Sequence, residues 1–438
     1  MGRLACKRSM RQVSCPPIED SAVTADSPAL RARVLVYSSL FPSEAAPNAG
    51  VFIRERMFRV AQRLPLAVVA PQAWSPLDFL IRVFRPAFRP PAATFERMSG
   101  VEIHRPRFLS VPGILKGLDG WLMAVCTRRT VRRVAHTLNA TVIDAHFAYP
   151  DGYAATRIGR ELGLPVIISL RGSKDQRLLG TKREPALREA LAQATQLIVV
   201  SESLVQDVGV PLGQAAERFE RVGNGVDLAR FMPLDKARAR EHLGLPAQAK
   251  VIVGVGNLIP LKGFQRVIPL IARLKERFPD IRYLIVGGST AQGDLGPELL
   301  RLAAQHGVSE NVRLCGRQTP DELRWYYSAA DVFALATEYE GWANVLLEAM
   351  ACGLPVVTTR VGGNAEVVSD PSLGLLVPYW DEAAFCVSLG QALEQAWDHE
   401  RIRRYAQANT WERRIDQLVG IFERLTAQGG INSRGNPT

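Results

Sequence analysis

The stretch Glu338–Val368, "EYEGWANVLLEAMACGLPVVTTRVGGNAEVV", decides how the rest of the chain is read. It follows an apolar run, "VFALAT" (332–337), and contains another, "PVVTT" (355–359). Between them "ANVLLEAMAC" has helical spacing and stops at Gly353, with Pro355 beyond, which is a C-terminal helix signal. Strand, helix and strand make one unit of a parallel sheet. Open parallel sheets bind ligands at the carboxyl ends of their strands. Glu340 therefore falls in a loop where a ligand would lie, and Gly341 permits close backbone approach. The first N–H groups of the helix lack internal partners and form an anion site. Glu348 lies inside the helix, eight residues after Glu340. Carboxylates accept hydrogen bonds from hydroxyls and suit phosphate poorly. The spacing fits a ligand with an anionic centre and hydroxyl-rich ends, such as a sugar nucleotide. It equally fits a glutamate favoured by the helix dipole and a second, solvated one.

Outward from this unit, strand and helix patterns alternate twice. In the first half "RVLVYSS" (33–39), "LAVVAP" (66–71), "TVIDAHF" (141–147), "PVIISLRGS" (165–173) and the run near 197–205 read as strands, with a helix over Val51–Leu64. After "FMPLDKARAREHLGLPAQ" the pattern restarts with "KVIVGVGN" (250–257), "RYLIVGG" (282–288) and "VRLCGR" (312–317). The expected fold class is α/β, with two Rossmann-like, doubly wound parallel-sheet domains. The expected divisions are a disordered tail over 1–30, an N-terminal domain over 31–232, a C-terminal domain over 245–405 and a terminal helix over 411–427.

Composition narrows the function classes. Of the 438 residues, 47% are hydrophobic and 22% charged, a globular balance. Apolar runs long enough to span a bilayer are missing from the sequence, and the N-terminus lacks the apolar core of a signal peptide. The six cysteines form no C-x-x-C pair, which reads as reduced thiols and a cytoplasmic chain. Charge is uneven: residues 1–250 carry 36 Lys and Arg against 22 Asp and Glu, and residues 251–438 carry 18 against 21. A basic half suits nucleic acid, anionic lipid or phosphorylated ligands. Nucleic acid is disfavoured, because the charge is not interleaved with an aromatic platform or a reading helix. The chain has no Asp-x-Asp, so paired carboxylates for a divalent metal are missing and no metal ligand is assigned.

The quoted stretch resembles the E-x7-E signature of the retaining glycosyltransferases of family 4. "HFAYPDG" (146–152), "VSES" (200–203), "VGNGVDLARFMP" (222–233), "LKGF" (261–264) and the turn after "LIVGG" agree with it in the family's order, over residues 33 to 425. The resemblance implies the GT-B fold, two such domains facing across a cleft, with the terminal helix crossing back to the first domain. It implies a sugar donor of the UDP or GDP type and no further cofactor. Lys262 would neutralise the leaving diphosphate, Glu340 would act beside it, and His146 would line the cleft by the donor sugar. Gly50, Arg171, Asn257, Arg317, Gly341, Trp342, Ala343, Asn344 and Glu348 would hold the donor. The family usually places an arginine where this chain has Asn257, so Lys262 should matter more here, helped by Arg317 or Arg171.

The acceptor side is expected in the first domain. Residues 73–91 and 107–138 mix aromatic, aliphatic and arginine residues, with Arg128, Arg129, Arg132 and Arg133 at helical spacing beside Trp121, Leu122 and Val125. A basic amphipathic helix of this kind suits an anionic membrane surface, at the inner face of the plasma membrane. The chain resembles the teichuronic-acid and exopolysaccharide type of the family. That resemblance implies a glycan or lipid-diphosphate-linked acceptor in surface polysaccharide synthesis. The alternatives are a non-catalytic scaffold on the same fold and a sugar-nucleotide epimerase.

Overall fold

The computed structural model describes residues 31–434, apart from 48, 86–87, 291–292 and 380. The expectation of a disordered tail over 1–30 lies outside the described residues. The first domain contains β1 (Val34–Tyr37), β2 (Leu66–Val69), β3 (Gln72–Trp74), β4 (Phe95–Met98), β5 (Val101–His104), β6 (Arg107–Leu109), β7 (Val142–His146), β8 (Val166–Leu170), β9 (Gln196–Val199) and β10 (Phe219–Arg221). The second contains β11 (Val251–Val255), β12 (Arg282–Val286), β13 (Val312–Leu314), β14 (Val332–Leu335), β15 (Val356–Thr359) and β16 (Gly374–Val377).

Eight strands form the first sheet in the order β10-β9-β8-β7-β1-β2-β5-β4, and six form the second in the order β13-β12-β11-β14-β15-β16. All pairings in both are parallel except β4 with β5. Strand order reverses between β1 and β7 in one sheet and between β11 and β14 in the other. Such switch points leave a crevice at the strand ends, where doubly wound folds bind ligands.

Both faces of each sheet are covered, which is why the strands read as continuous apolar runs. On β1, Leu35 and Tyr37 pack with helix Asp119–Leu138, while Val34 and Val36 pack with helix Val51–Ala61 and the terminal helix Trp411–Arg434. The terminal helix contributes Ile415, Leu418, Ile421, Phe422 and Leu425 to this second cluster. It is thus part of the first domain's core although it follows the second domain in sequence.

The turn expected at Asn224-Gly225-Val226-Asp227 marks the crossing between domains. Asp227 Oδ1 accepts from its own chain, from the N–H of Ala229 at 3.1 Å. Gly225 lies against the backbone of Trp411, where a Cβ would come 2.3 Å from the Trp411 nitrogen. Asn224 does more than turn: it accepts from Arg56 Nη2 at 3.1 Å and donates to Asn344 Oδ1 at 2.9 Å, tying both domains together.

Candidate functional site

The carboxyl end of β14 delivers Thr337, Glu338, Tyr339 and Glu340, and a 3-10 turn after β11, Pro260–Lys262, delivers the lysine. These two strands flank the second switch point, so the loops meet without further help from the chain. Lys262 Nζ pairs with Glu340 Oε1. Thr337 Oγ1 lies 3.3 Å from the same carboxylate oxygen and 2.9 Å from the Leu261 carbonyl it donates to. Gly263 makes the turn tight: its φ is 75°, and a Cβ there would sit 1.9 Å from the Ala336 carbonyl oxygen.

Helix Asn344–Ala351 starts three residues beyond Gly341, from an extended Ala343 with no side-chain cap. Its first N–H groups therefore face outward from the helix start. Glu348, one turn in, accepts from the Tyr327 hydroxyl at 3.0 Å. Part of Glu348 remains accessible, but its carboxyl lies among Tyr327 and Cys352, and burial pushes it up to about 7. The two glutamates thus differ in kind: Glu340 is held by a cation, and Glu348 by a neutral hydroxyl.

The first domain closes over this corner. A Cβ on Gly341 would come 2.4 Å from the Arg171 carbonyl oxygen and 2.7 Å from Gly172 Cα. Trp342 packs on Gly223, where a Cβ would come 2.9 Å from the indole ring, and joins the cores of both domains. Gly363 donates to the Glu340 carbonyl at 2.9 Å and lies against Ser201.

Beneath the contact sits a buried polar cluster of Arg56, Asp144, His146 and Arg171. Arg171 is 8% exposed, its Nη2 reaches the Phe52 carbonyl at 3.5 Å, and its Nε and Nη1 have no hydrogen-bond partner among the described residues. Burial pushes Asp144 up to about 6, opposed by Arg171 and Arg56, while Ser169 donates to it at 3.2 Å. His146 ends β7 as expected from the sequence, but it is fully enclosed, where the sequence reading had it lining the cleft. Burial, Arg171 and Arg56 all hold its imidazole well below the usual range, so it is neutral. Its Nε2 lies 3.5 Å from Asp144 Oδ2, and neither ring nitrogen is hydrogen-bonded.

Of the remaining candidates, Asn257 and Arg317 sit at the rim and Gly50 is buried. Asn257 is exposed on the loop after β11. Arg317 is exposed beside Gly288 and donates to the Ser289 carbonyl at 3.1 Å. Gly50, at φ 69°, starts helix Val51–Ala61, and a Cβ there would meet the Leu40 carbonyl at 2.3 Å. Sequence reasoning missed Tyr327 and Asp151. Asp151 is fully buried and accepts from the Ser39 backbone and hydroxyl where β1 ends, with Lys174 Nζ at 3.5 Å. Its position directly after Pro150 in "HFAYPDG" was the available signal.

A cavity of about 1520 Å³ lies away from the donor corner. It is lined by helix Val51–Ala61, the amino ends of β2 and β5 and Arg133, carries both signs of charge, and touches none of the candidate donor-site residues. A second cavity, about 400 Å³, runs from Ser39 and Pro150 to Arg82, Arg107 and Lys116 of the first domain. Among the described residues no cluster of His, Cys, Asp and Glu side chains suits a metal ion, and no helix is long and apolar enough to cross a membrane.

A family model described as Glycosyltransferase Family 4 matches residues 33–230, and one described as Glycosyl transferases group 1 matches residues 235–409. The chain is 38% identical over 263 residues to a D-inositol 3-phosphate glycosyltransferase of Corynebacterium urealyticum, covering 56% of this chain and 62% of that protein. This match therefore spans less than two thirds of the relative's length. A protein of the same name from Segniliparus rotundus is 29% identical over 440 residues, 94% of each chain. In fold, the chain is similar to Anabaena HepE in complex with UDP, with a TM-score of 0.68 over 90% of this chain and 100% of that one, at 18% identity.

Proposed function

The chain belongs to the glycosyltransferases of family 4, with the GT-B fold, and on that footing we propose that it moves a sugar from a nucleoside diphosphate to an acceptor with retention of configuration. The observation that carries this reading is the meeting of Lys262, Glu340 and the start of helix Asn344–Ala351 at one switch point. A diphosphate would take the lysine and the helix N–H groups, and the sugar hydroxyls would donate to Glu340 and Glu348. As the bond from the anomeric carbon to the diphosphate oxygen breaks, charge collects on the leaving group. Donors already aimed at it stabilise that charge, each by roughly 3–4 kcal/mol. An acceptor hydroxyl oxygen then bonds to the anomeric carbon, and its proton passes to the departing diphosphate oxygen. Arg171, Asn257 and Arg317 would supply further contacts to the donor, and Gly341, Trp342, Ala343 and Asn344 would shape its bed. The neutral His146 would support the site from behind.

The proposed acceptor carries a phosphate. A lipid-diphosphate-linked glycan of surface polysaccharide synthesis, met at the inner face of the membrane, fits this description. So does a phosphorylated polyol of the kind named for the relatives. The cavity of about 400 Å³, lined by Arg82 and the exposed Arg107, favours an anionic acceptor over a neutral one. Thermal unfolding with a panel of UDP-, GDP- and ADP-sugars tests the donor half: a bound donor raises the midpoint with concentration. Glu348→Ala should remove most of that shift. A shift in no member of the panel would reject the reading.

A further inference from the structure

We propose that one face of the first domain seats the protein on an anionic lipid bilayer, with helix Asp78–Phe84 entering the interface. This goes beyond the donor site and does not depend on it. The helix is turned inside out relative to ordinary surface helices. Asp78 is 2% exposed, whereas Phe79 is 72%, Leu80 58%, Val83 65% and Phe84 86% exposed. Beside it Ile114 and Leu115, on the loop before helix Asp119–Leu138, and Trp121 and Val125 on that helix, are also exposed. Elsewhere exposed apolar side chains such as Leu300 and Val387 occur singly, as on any protein surface. Apolar side chains exposed in this number, on segments tied together by a shared polar network, mark an interaction site.

A polar network ties the three segments together. Asp78 accepts from Arg89 Nη1 at 3.3 Å, and the same nitrogen donates to the Ser110 carbonyl at 2.7 Å. Lys116 donates to Ser110 Oγ at 2.8 Å and to Asp119 Oδ2 at 3.2 Å. Polar groups hold the base of the patch, and apolar groups are left at its top.

Charge decides the occupant. Between Trp74 and Arg133 the carboxylates are Asp78, Glu96, Glu102 and Asp119, and each pairs with a cation of the same segment: Arg89, Arg105, Arg97 and Lys116. Arg85, Arg107, Arg129 and Arg133 are exposed and have no acidic partner among the described residues. On helix Asp119–Leu138, Arg128 and Arg132 pair with Glu161 of the next helix, and Arg133 lines the cavity at the amino ends of β2 and β5. An apolar segment that keeps Arg85, Arg107 and Arg129 unneutralised suits an interface of acyl chains under anionic headgroups. A second copy of the chain would bring the same cations against themselves. The cavity between Arg107 and Ser39 opens from this face toward the end of β1, which gives a lipid-held acceptor, on the reading above, a path to the cleft.

Flotation of the full chain with vesicles of phosphatidylglycerol and phosphatidylcholine, against vesicles of phosphatidylcholine alone, tests the proposal. The wild-type protein should float with the anionic vesicles and dissociate as salt is raised. The double variant Phe79→Ser with Phe84→Ser should lose flotation with an unchanged unfolding midpoint and an unchanged donor-induced shift. Arg85→Glu and Arg129→Glu should each weaken binding by roughly five-fold or more. Wild type that stays with the soluble fraction, or a double variant that floats equally, would overturn it. So would a concentration-dependent dimer, abolished by Phe84→Ser, in a protein that does not float.

Discussion

Lys262 and Glu340 form an ion pair between loops 78 positions apart, one after β11 and the other after β14. Without donor, each neutralises the other. A diphosphate arriving at Lys262 must share or displace that pairing, which frees Glu340 to accept from a sugar hydroxyl. Lys262→Ala should therefore lower the transfer rate by about 10²–10³, the effect of removing one preorganised donor, while donor affinity falls less. Single-turnover rates alongside donor titration check this. A variant with wild-type turnover would remove Lys262 from the mechanism.

The pair shows where sequence reading stops. Strands such as β1, β7, β11 and β14 were legible because each is buried on both faces and reads as a mostly apolar run. Strands β4 and β5 were not, since each is four residues long: "FERM", at the sheet edge, has no alternation, and "VEIH" alternates over too few residues to read. Strands β3 and β6, three residues each, carry too little pattern to read. Within 107–138, only 119–138 is the long helix; the segment before it holds β6, a loop and a short 3-10 turn. Glu340 and Glu348 were found by spacing, but the partners that distinguish them, Lys262 and Tyr327, come from elsewhere in the chain. His146 was placed correctly at a strand end, and its enclosure depends on Arg56 and Arg171, which no local pattern brings together.

Gly341 is a point of close backbone approach between the domains. A methyl group at this position meets backbone on the other side, the Arg171 carbonyl and Gly172 Cα, neither of which can rotate away. Gly341→Ala should hold the two domains apart at the donor corner. The expected result is a loss of transfer by at least an order of magnitude with an unfolding midpoint close to wild type. Small-angle scattering should show a larger radius for the variant, and unchanged activity would refute the closure argument.

Arg56 is 1% exposed and donates through Nη2 to the carbonyls of Val222 at 2.6 Å and Gly223 at 2.8 Å, as well as to Asn224. These acceptors belong to the crossing between domains. Arg56→Met keeps most of the volume but strands the carbonyls in a buried site. Each lost bond from a charged donor is worth about 1.5–3 kcal/mol, so a destabilisation of roughly 2–4 kcal/mol is expected in urea unfolding. A cost under half of that would mean water replaces the guanidinium.

Asn257 stands exposed on the loop after β11, close in sequence to Lys262, and carries no charge. Installing a cation there should add a second phosphate contact without disturbing the core. Asn257→Arg is expected to tighten donor binding several-fold at low salt and less at high salt, because the new interaction is solvent-exposed and screened. Calorimetric titration at two ionic strengths checks both halves of this. Affinity unaffected by the arginine would place the diphosphate away from the β11 loop.

Burial raises Glu348 from an ordinary value of 4.5 to about 7, so the folded chain holds this proton longer than the unfolded chain does. Between those limits the unfolded state releases the proton first, and stability falls as pH rises; above about 7 both states are ionised and the fall ends. Asp144, raised to about 6, and Asp175, raised to about 7, act with the same sign. Glu348→Gln removes one of these contributions and keeps an acceptor for the Tyr327 hydroxyl. The variant should therefore lose less thermal stability than wild type between pH 5 and pH 8, with the two proteins closest at the acid end. Parallel unfolding curves across that range would mean that the carboxyl is hydrated and ionised in the folded chain. In that case Glu348 would meet a donor hydroxyl only as an anion, and the Gln variant should lose the donor-induced shift as fully as the Ala variant.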